Sequence, residues 1–92
     1  MNTSEETRKT IIDDYRTHDG DTGSPEVQIA LLTEDIKTLT VHMQMHRKDY
    51  HSRRGLLHKV NRRNKLLSYL NRTAHDRYLS LTERLGLRRS VS

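Results

Sequence analysis

Hydrophobic residues along this chain recur at helical spacing, and strand-type alternation is nowhere convincing. Ile29, Leu32, Ile36, Leu39 and Met43 follow one another at steps of 3, 4, 3 and 4, which places them on one face of a helix. Ser24 is a good N-cap for it, Pro25 suits the first helical position and Glu26 the first turn. A helix is therefore predicted from Pro25 to about Gln44. Leu56, Leu57, Val60, Leu67 and Leu70 line one side of the next, which Asp49 can cap by accepting from the backbone N–H of Ser52 and which should run to about Arg72. Before these two lies a shorter helix that starts near Thr3, where Thr3-Ser4-Glu5-Glu6 offers a capping box; Ile11, Ile12 and Tyr15 form its docking stripe. Thr73 with Asp76 resembles a second capping box and opens a last helix. Its Tyr78, Leu81 and Leu85 face inward, and Gly86-Leu87 suggests a C-terminal cap. The segment from His18 to Gly23 reads as a turn-rich loop. The pattern predicts an all-α fold, a four-helix antiparallel bundle with two long central helices and a loosely attached N-terminal one.

Composition sharpens this. The 92 residues suffice for one domain, residues 1–89, with 90–92 as a short tail. Only 32% of the chain is hydrophobic, and Trp, Phe and Cys are absent. A core this thin leaves the fold marginal without a partner, and no disulfide or Cys-based zinc site staples it. The longest apolar run, Ile29-Ala30-Leu31-Leu32, is far short of a membrane span. The default expectation is a soluble protein of a reducing interior.

Charge is unevenly spread. Residues 1–36 carry three Lys/Arg against nine carboxylates, net −6, whereas residues 37–92 carry fourteen against three, net +11. The basic part reads as a footprint for a polyanion. At 100° per residue, Arg54, His58, Asn61, Arg62, Lys65, Tyr69 and Arg72 fall within about a third of the third helix, opposite the leucines. This row holds no carboxylate. Its cations can track phosphates, and Tyr69 can stack on a base or donate its hydroxyl. Arg63 and Asn64 lie nearer the apolar side.

The link before that helix, His46 to Arg54, is the densest basic stretch, and Asp49 is its one acid. Besides capping, its carboxylate can accept from a guanine amino group or a 2′-hydroxyl in a shallow RNA minor groove, with Ser52 adding a short-range donor or acceptor. Gly55 inside a helix points to close approach by another helix or by RNA backbone. The loop end at Asp21-Thr22-Gly23-Ser24 offers free N–H groups, although Asp21 and Glu26 oppose a simple anion site.

Enzymatic readings find little support. His42 and His46 stand at i and i+4, but no acid lies between them and no third ligand accompanies them, so no metal and no cofactor is expected. Neither a phosphate-binding Gly-rich loop nor a nucleophile elbow is present. A DNA regulator using the second and third helices is opposed by the length of the third helix and of the link. A protein adaptor using the helix-two stripe is the third option.

Four segments resemble one family in register: Asp21-Thr22-Gly23-Ser24-Pro25-Glu26-Val27-Gln28, Asp49-Tyr50-His51-Ser52-Arg53-Arg54-Gly55-Leu56-Leu57, Leu66-Leu67-Ser68-Tyr69-Leu70, and Glu83-Arg84-Leu85-Gly86-Leu87-Arg88-Arg89. The family is the bacterial small-subunit ribosomal protein S-fifteen, and the likeness covers about residues 3 to 89. The resemblance implies a cytoplasmic structural protein that is a primary binder of small-subunit ribosomal RNA. It implies a grip on a three-way junction in the central domain, help for the platform and its neighbouring proteins, and a bridge to large-subunit RNA. By matching position it implies junction contacts from Thr22, Gly23, Gln28, Lys65, Tyr69 and Arg72, to which the row adds Arg54, His58 and Arg62. It implies reading of a purine-rich minor-groove element with a G–U pair by His42, Asp49 and Ser52, with His46 and Arg53 beside them. Gln28 and His42 rest on the resemblance alone. No membrane and no small-molecule substrate is implied.

Overall fold

The computed structural model describes residues 4–16 and 23–87, which form four helices and no strand: α1 (Glu5–Tyr15), α2 (Pro25–Met45), α3 (Tyr50–Thr73) and α4 (His75–Leu85). No helix among these residues is long and apolar enough to cross a membrane. Ser24 caps α2 by accepting from the Val27 N–H at 3.3 Å, with Pro25 at the first helical position. Asp49 caps α3 by accepting from the Ser52 N–H at 3.1 Å. Gly86 ends α4 in the left-handed region at φ 67°. There its own N–H reaches the Glu83 carbonyl and the Leu87 N–H the Thr82 carbonyl, a Schellman arrangement.

The core lies at one end of the molecule. Ile29 of α2, Leu70 of α3, and Tyr78 and Leu81 of α4 form a buried cluster, with Tyr15, Leu66, Leu67, Leu85 and Leu87 packed around it. The buried positions of α2 all lie between Glu26 and Leu39, so its last turns and the first turns of α3 project as a two-helix arm. The extents of 40 × 34 × 18 Å fit a flat body crossed by the roughly 36 Å length of α3. Beyond its inward stripe, α2 also buries Val27, Ala30 and Leu31, because α1 covers a second side of it.

α1 itself has no fully buried residue. It is held at its rim, where Arg84 donates to the Asp14 carbonyl at 3.2 Å and its guanidinium lies 4.1 Å from the Tyr15 ring centre. Arg8 adds a contact 3.7 Å from the Asp35 carboxylate.

Three local expectations need correction. The N-cap of α1 is Ser4, whose side chain pairs with Thr7 rather than Glu6; Thr3 lies outside the described residues. Thr73 does not cap α4. It remains the last residue of α3, where its hydroxyl donates back to the Tyr69 carbonyl at 2.8 Å, and the chain turns at Ala74, which offers no side-chain cap. Leu57 is 58% exposed, because a step of 100° from Leu56 carries it onto the flank of α3. The loop from His18 to Thr22 and the 90–92 tail lie outside the described residues.

Candidate nucleic-acid interface

Residues 46–49 form the α2–α3 turn, and the backbone builds it before any side chain joins. The His46 N–H closes the end of α2 on the His42 carbonyl at 2.9 Å, and the Asp49 N–H reaches the His46 carbonyl at 3.1 Å. This brings His42, on the last turns of α2, against Asp49 at the start of α3. His42 Nε2 lies 2.7 Å from Asp49 Oδ2, and Ser52 Oγ donates to the same oxygen at 2.7 Å. A carboxylate only accepts, so the His42 contact requires the imidazole proton on Nε2. With the Ser52 N–H on Oδ1, Asp49 accepts three hydrogen bonds out of about four acceptor positions. The bond from His42, then the two from Ser52, hold its carboxyl far below the usual carboxylate range. Its side chain nevertheless remains 32% exposed.

Basic side chains flank this anion, and among the described residues Arg47, Lys48 and Arg53 form no ion pair with it. His46 is exposed with its ring 4.7 Å from that of His42. Arg53 donates to the Arg47 carbonyl at 3.3 Å and sits 6.0 Å from the centre of the Tyr50 ring. Arg47 and Lys48 are exposed. The turn thus presents one fixed carboxylate, one hydroxyl and one imidazole within a positive rim, a set able to read donor and acceptor groups in a shallow groove.

Along α3, all seven members of the predicted row are exposed: Arg54, His58, Asn61, Arg62, Lys65, Tyr69 and Arg72. None pairs with a carboxylate among the described residues. Arg62 is tied to α2, donating to Gln28 Oε1 at 3.3 Å, while Gln28 Nε2 donates to the Gly23 carbonyl at 2.6 Å. This relay joins the start of α2 to the row on α3 and brings three candidate residues together. Thr22 lies outside the described residues. Arg63 turns into the α2–α3 seam, where Nη1 stands 3.5 Å from Thr33 Oγ1 and burial lowers the guanidinium pKa. That accounts for its separation from the row. A Cβ on Gly55 would meet nothing within 4 Å, so no described helix requires glycine there.

Several ion pairs were not anticipated. Buried Asp35 accepts from Lys59 Nζ at 3.1 Å, and Arg77 forms a two-bond pair with Glu26. Glu26 is therefore engaged in joining α2 to α4. Two adjacent acids, Glu34 and Asp35, interrupt the apolar stretch from Ile29 to Leu39, and of the two it is Asp35 that is buried. Among the described residues, no three His, Cys, Asp or Glu side chains gather as metal ligands.

Comparison with known proteins agrees along nearly the whole chain. The family model described as ribosomal protein S15 matches residues 8–88. Small ribosomal subunit protein uS15 of Enterococcus faecalis is 55% identical over 89 residues, covering 97% of this chain and all of that relative. The protein of the same name from Pseudarthrobacter chlorophenolicus is 58% identical over 82 residues, covering 89% and 92% of the two chains. That from Desulforamulus reducens is 55% identical over 89 residues. Taken with the four-helix fold, these matches establish that the chain belongs to the ribosomal protein S15 family.

Proposed function

We propose that this protein is a structural constituent of the small ribosomal subunit in the cytoplasm, where it binds small-subunit ribosomal RNA at a three-way junction without catalysing a reaction. The observation that carries the reading is the exposed row on α3, which combines cations, an amide and an aromatic with no carboxylate partner. Arg54, Arg62, Lys65 and Arg72 supply charge along the junction strands, His58 supplies a hydrogen-bonding imidazole and Tyr69 a stacking face. Gly23 and Gln28 meet the junction from the start of α2, with Thr22 beside them in sequence. The turn does different work. His42, Asp49 and Ser52 read a G–U-containing minor groove, flanked by His46 and Arg53, and Gly55 gives the RNA backbone room to approach.

A rigid wedge at a junction fixes the relative direction of the RNA arms, which prepares the platform for neighbouring proteins without direct catalysis. A bridge to large-subunit RNA is part of the same proposal, supported by the additional exposed cations Arg47 and Lys48 at the tip of the arm. Chemical footprinting of small-subunit RNA with and without the protein tests the reading. Protection should centre on a three-way junction and on one purine-rich helix. Stronger binding to duplex DNA than to branched RNA would overturn it.

A further inference from the structure

The α3 row does not stop at the edge of its helix. Beside Arg62 and His58, a cleft of about 650 Å³ opens between α1, α2 and α3, with Arg8, Gln28, Asp35 and Lys59 among the groups that line it. Asp35 lies at its base with a side chain only 5% exposed, and a single oxygen, Oδ2, faces two cations: Lys59 Nζ at 3.1 Å and Arg8 Nη1 at 3.7 Å. One carboxylate cannot neutralise both. Arg62 adds a third cation whose polar partner is the neutral Gln28 amide. Glu5 at the rim removes one charge, so the lining residues keep a surplus of one positive charge.

We propose that this cleft seats one phosphodiester group of the junction RNA, and that Arg8 of α1 is thereby an RNA contact. The inference rests on the junction-binding reading above and extends it to a helix that carries more acids than bases. A phosphodiester has one negative charge, which matches the surplus. Continuity fixes the source of the phosphate, because His58 and Arg62 belong both to the cleft and to the row that follows the RNA backbone. Asp35 acts as a positioning residue: it holds Lys59 and draws Arg8 inward, so that their remaining N–H donors are set before RNA arrives. The Arg8 side chain is 40% exposed, enough to reach a ligand at the cleft mouth.

The full-length protein and the junction RNA suffice for the test. Binding is measured over a salt series for the natural chain, Arg8→Gln, Arg8→Lys and Arg62→Gln, with the helicity of each variant checked by circular dichroism. Arg8→Gln should lower the slope of log affinity against log salt by about one unit, and Arg8→Lys should restore it. Asp35 keeps Lys59 when Arg8 is lost, so the fold should survive. Loss of affinity at an unchanged slope would mean that Arg8 only docks α1, and would overturn the proposal, as would no loss at all. If Arg62→Gln lowers the slope while Arg8→Gln does not, the cleft fails and the junction reading stands. If the natural chain does not prefer the junction RNA, the reading itself fails.

Discussion

At the α2–α3 turn the Asp49 carboxylate already accepts three hydrogen bonds, whereas about four to six helical turns further along α3 the side chains of Lys65 and Tyr69 have no polar partner among the described residues. The two regions meet on α3 and, if both contact RNA as proposed, are prepared for it in different ways. Asp49 and Ser52 have given up their rotamer freedom in folding, so a groove that presents the wrong groups meets a fixed, unsatisfied site. Lys65 and Arg54 retain theirs and can adjust to any backbone that carries phosphates in reach. In the proposed function, order at the turn is what gives discrimination, and freedom along the row gives charge-driven affinity that depends little on sequence.

The largest perturbation should abolish the distinction by removing what both regions share. Leu70→Ala empties a site that is 1% exposed in the core beneath the row, and should cost about 2–5 kcal/mol of stability. Thermal unfolding would show a large drop in Tm, and both modes of RNA binding should weaken with it. Next, Asp49→Ala removes the anchor of the turn. Affinity for the junction RNA should fall roughly tenfold while generic structured RNA is bound as before. A filter-binding comparison of the two RNAs reads this directly. Smaller again, Lys65→Gln or Arg54→Gln should each lower the salt slope by about one unit, with similar losses on specific and generic RNA.

The smallest effect concerns pH. The folded-state pKa of Asp49 is depressed, so its stabilisation of the first turn of α3 is complete above the ordinary carboxylate value and is lost only as pH falls from there toward the folded-state value. Between pH 5 and 8 the Asp49 carboxylate should not titrate. An NMR titration that follows the Asp49 carboxyl carbon should therefore show it shifting only in acid well below that window.

Much of this architecture could be read from the chain because its signals are local. Ser24-Pro25 starts α2, Asp49 caps α3 and Gly86 ends α4, each through bonds that span three to five positions. The exposed row followed from helical geometry alone. Local signals also misled where one pattern serves two geometries. Thr73 with Asp76 has the spacing of a capping box, yet a threonine hydroxyl at a helix end can equally bond the carbonyl four residues back, and here it does. Leu56 and Leu57 are chemically alike, but they stand 100° apart, and on the arm, away from the core, Leu57 falls on the exposed flank. The ties that organise the bundle were beyond reach for another reason. Lys59 is 24 residues from Asp35 and Arg77 is 51 from Glu26, so nothing near either acid names its partner. His42 was legible only through the family resemblance, because its contact with Asp49 depends on how tightly the turn closes.

The division of labour along α3 is tested most directly by exchanging the RNA and the protein together. The junction RNA and a version with its G–U pair replaced by a Watson–Crick pair would be titrated with the natural chain, Asp49→Ala and Lys65→Gln. The natural chain and Lys65→Gln should both favour the G–U junction by the same factor, and Asp49→Ala should bind the two RNAs equally. Retention of the full preference by Asp49→Ala, or its loss in Lys65→Gln, would contradict the assignment of discrimination to the turn and of charge to the row.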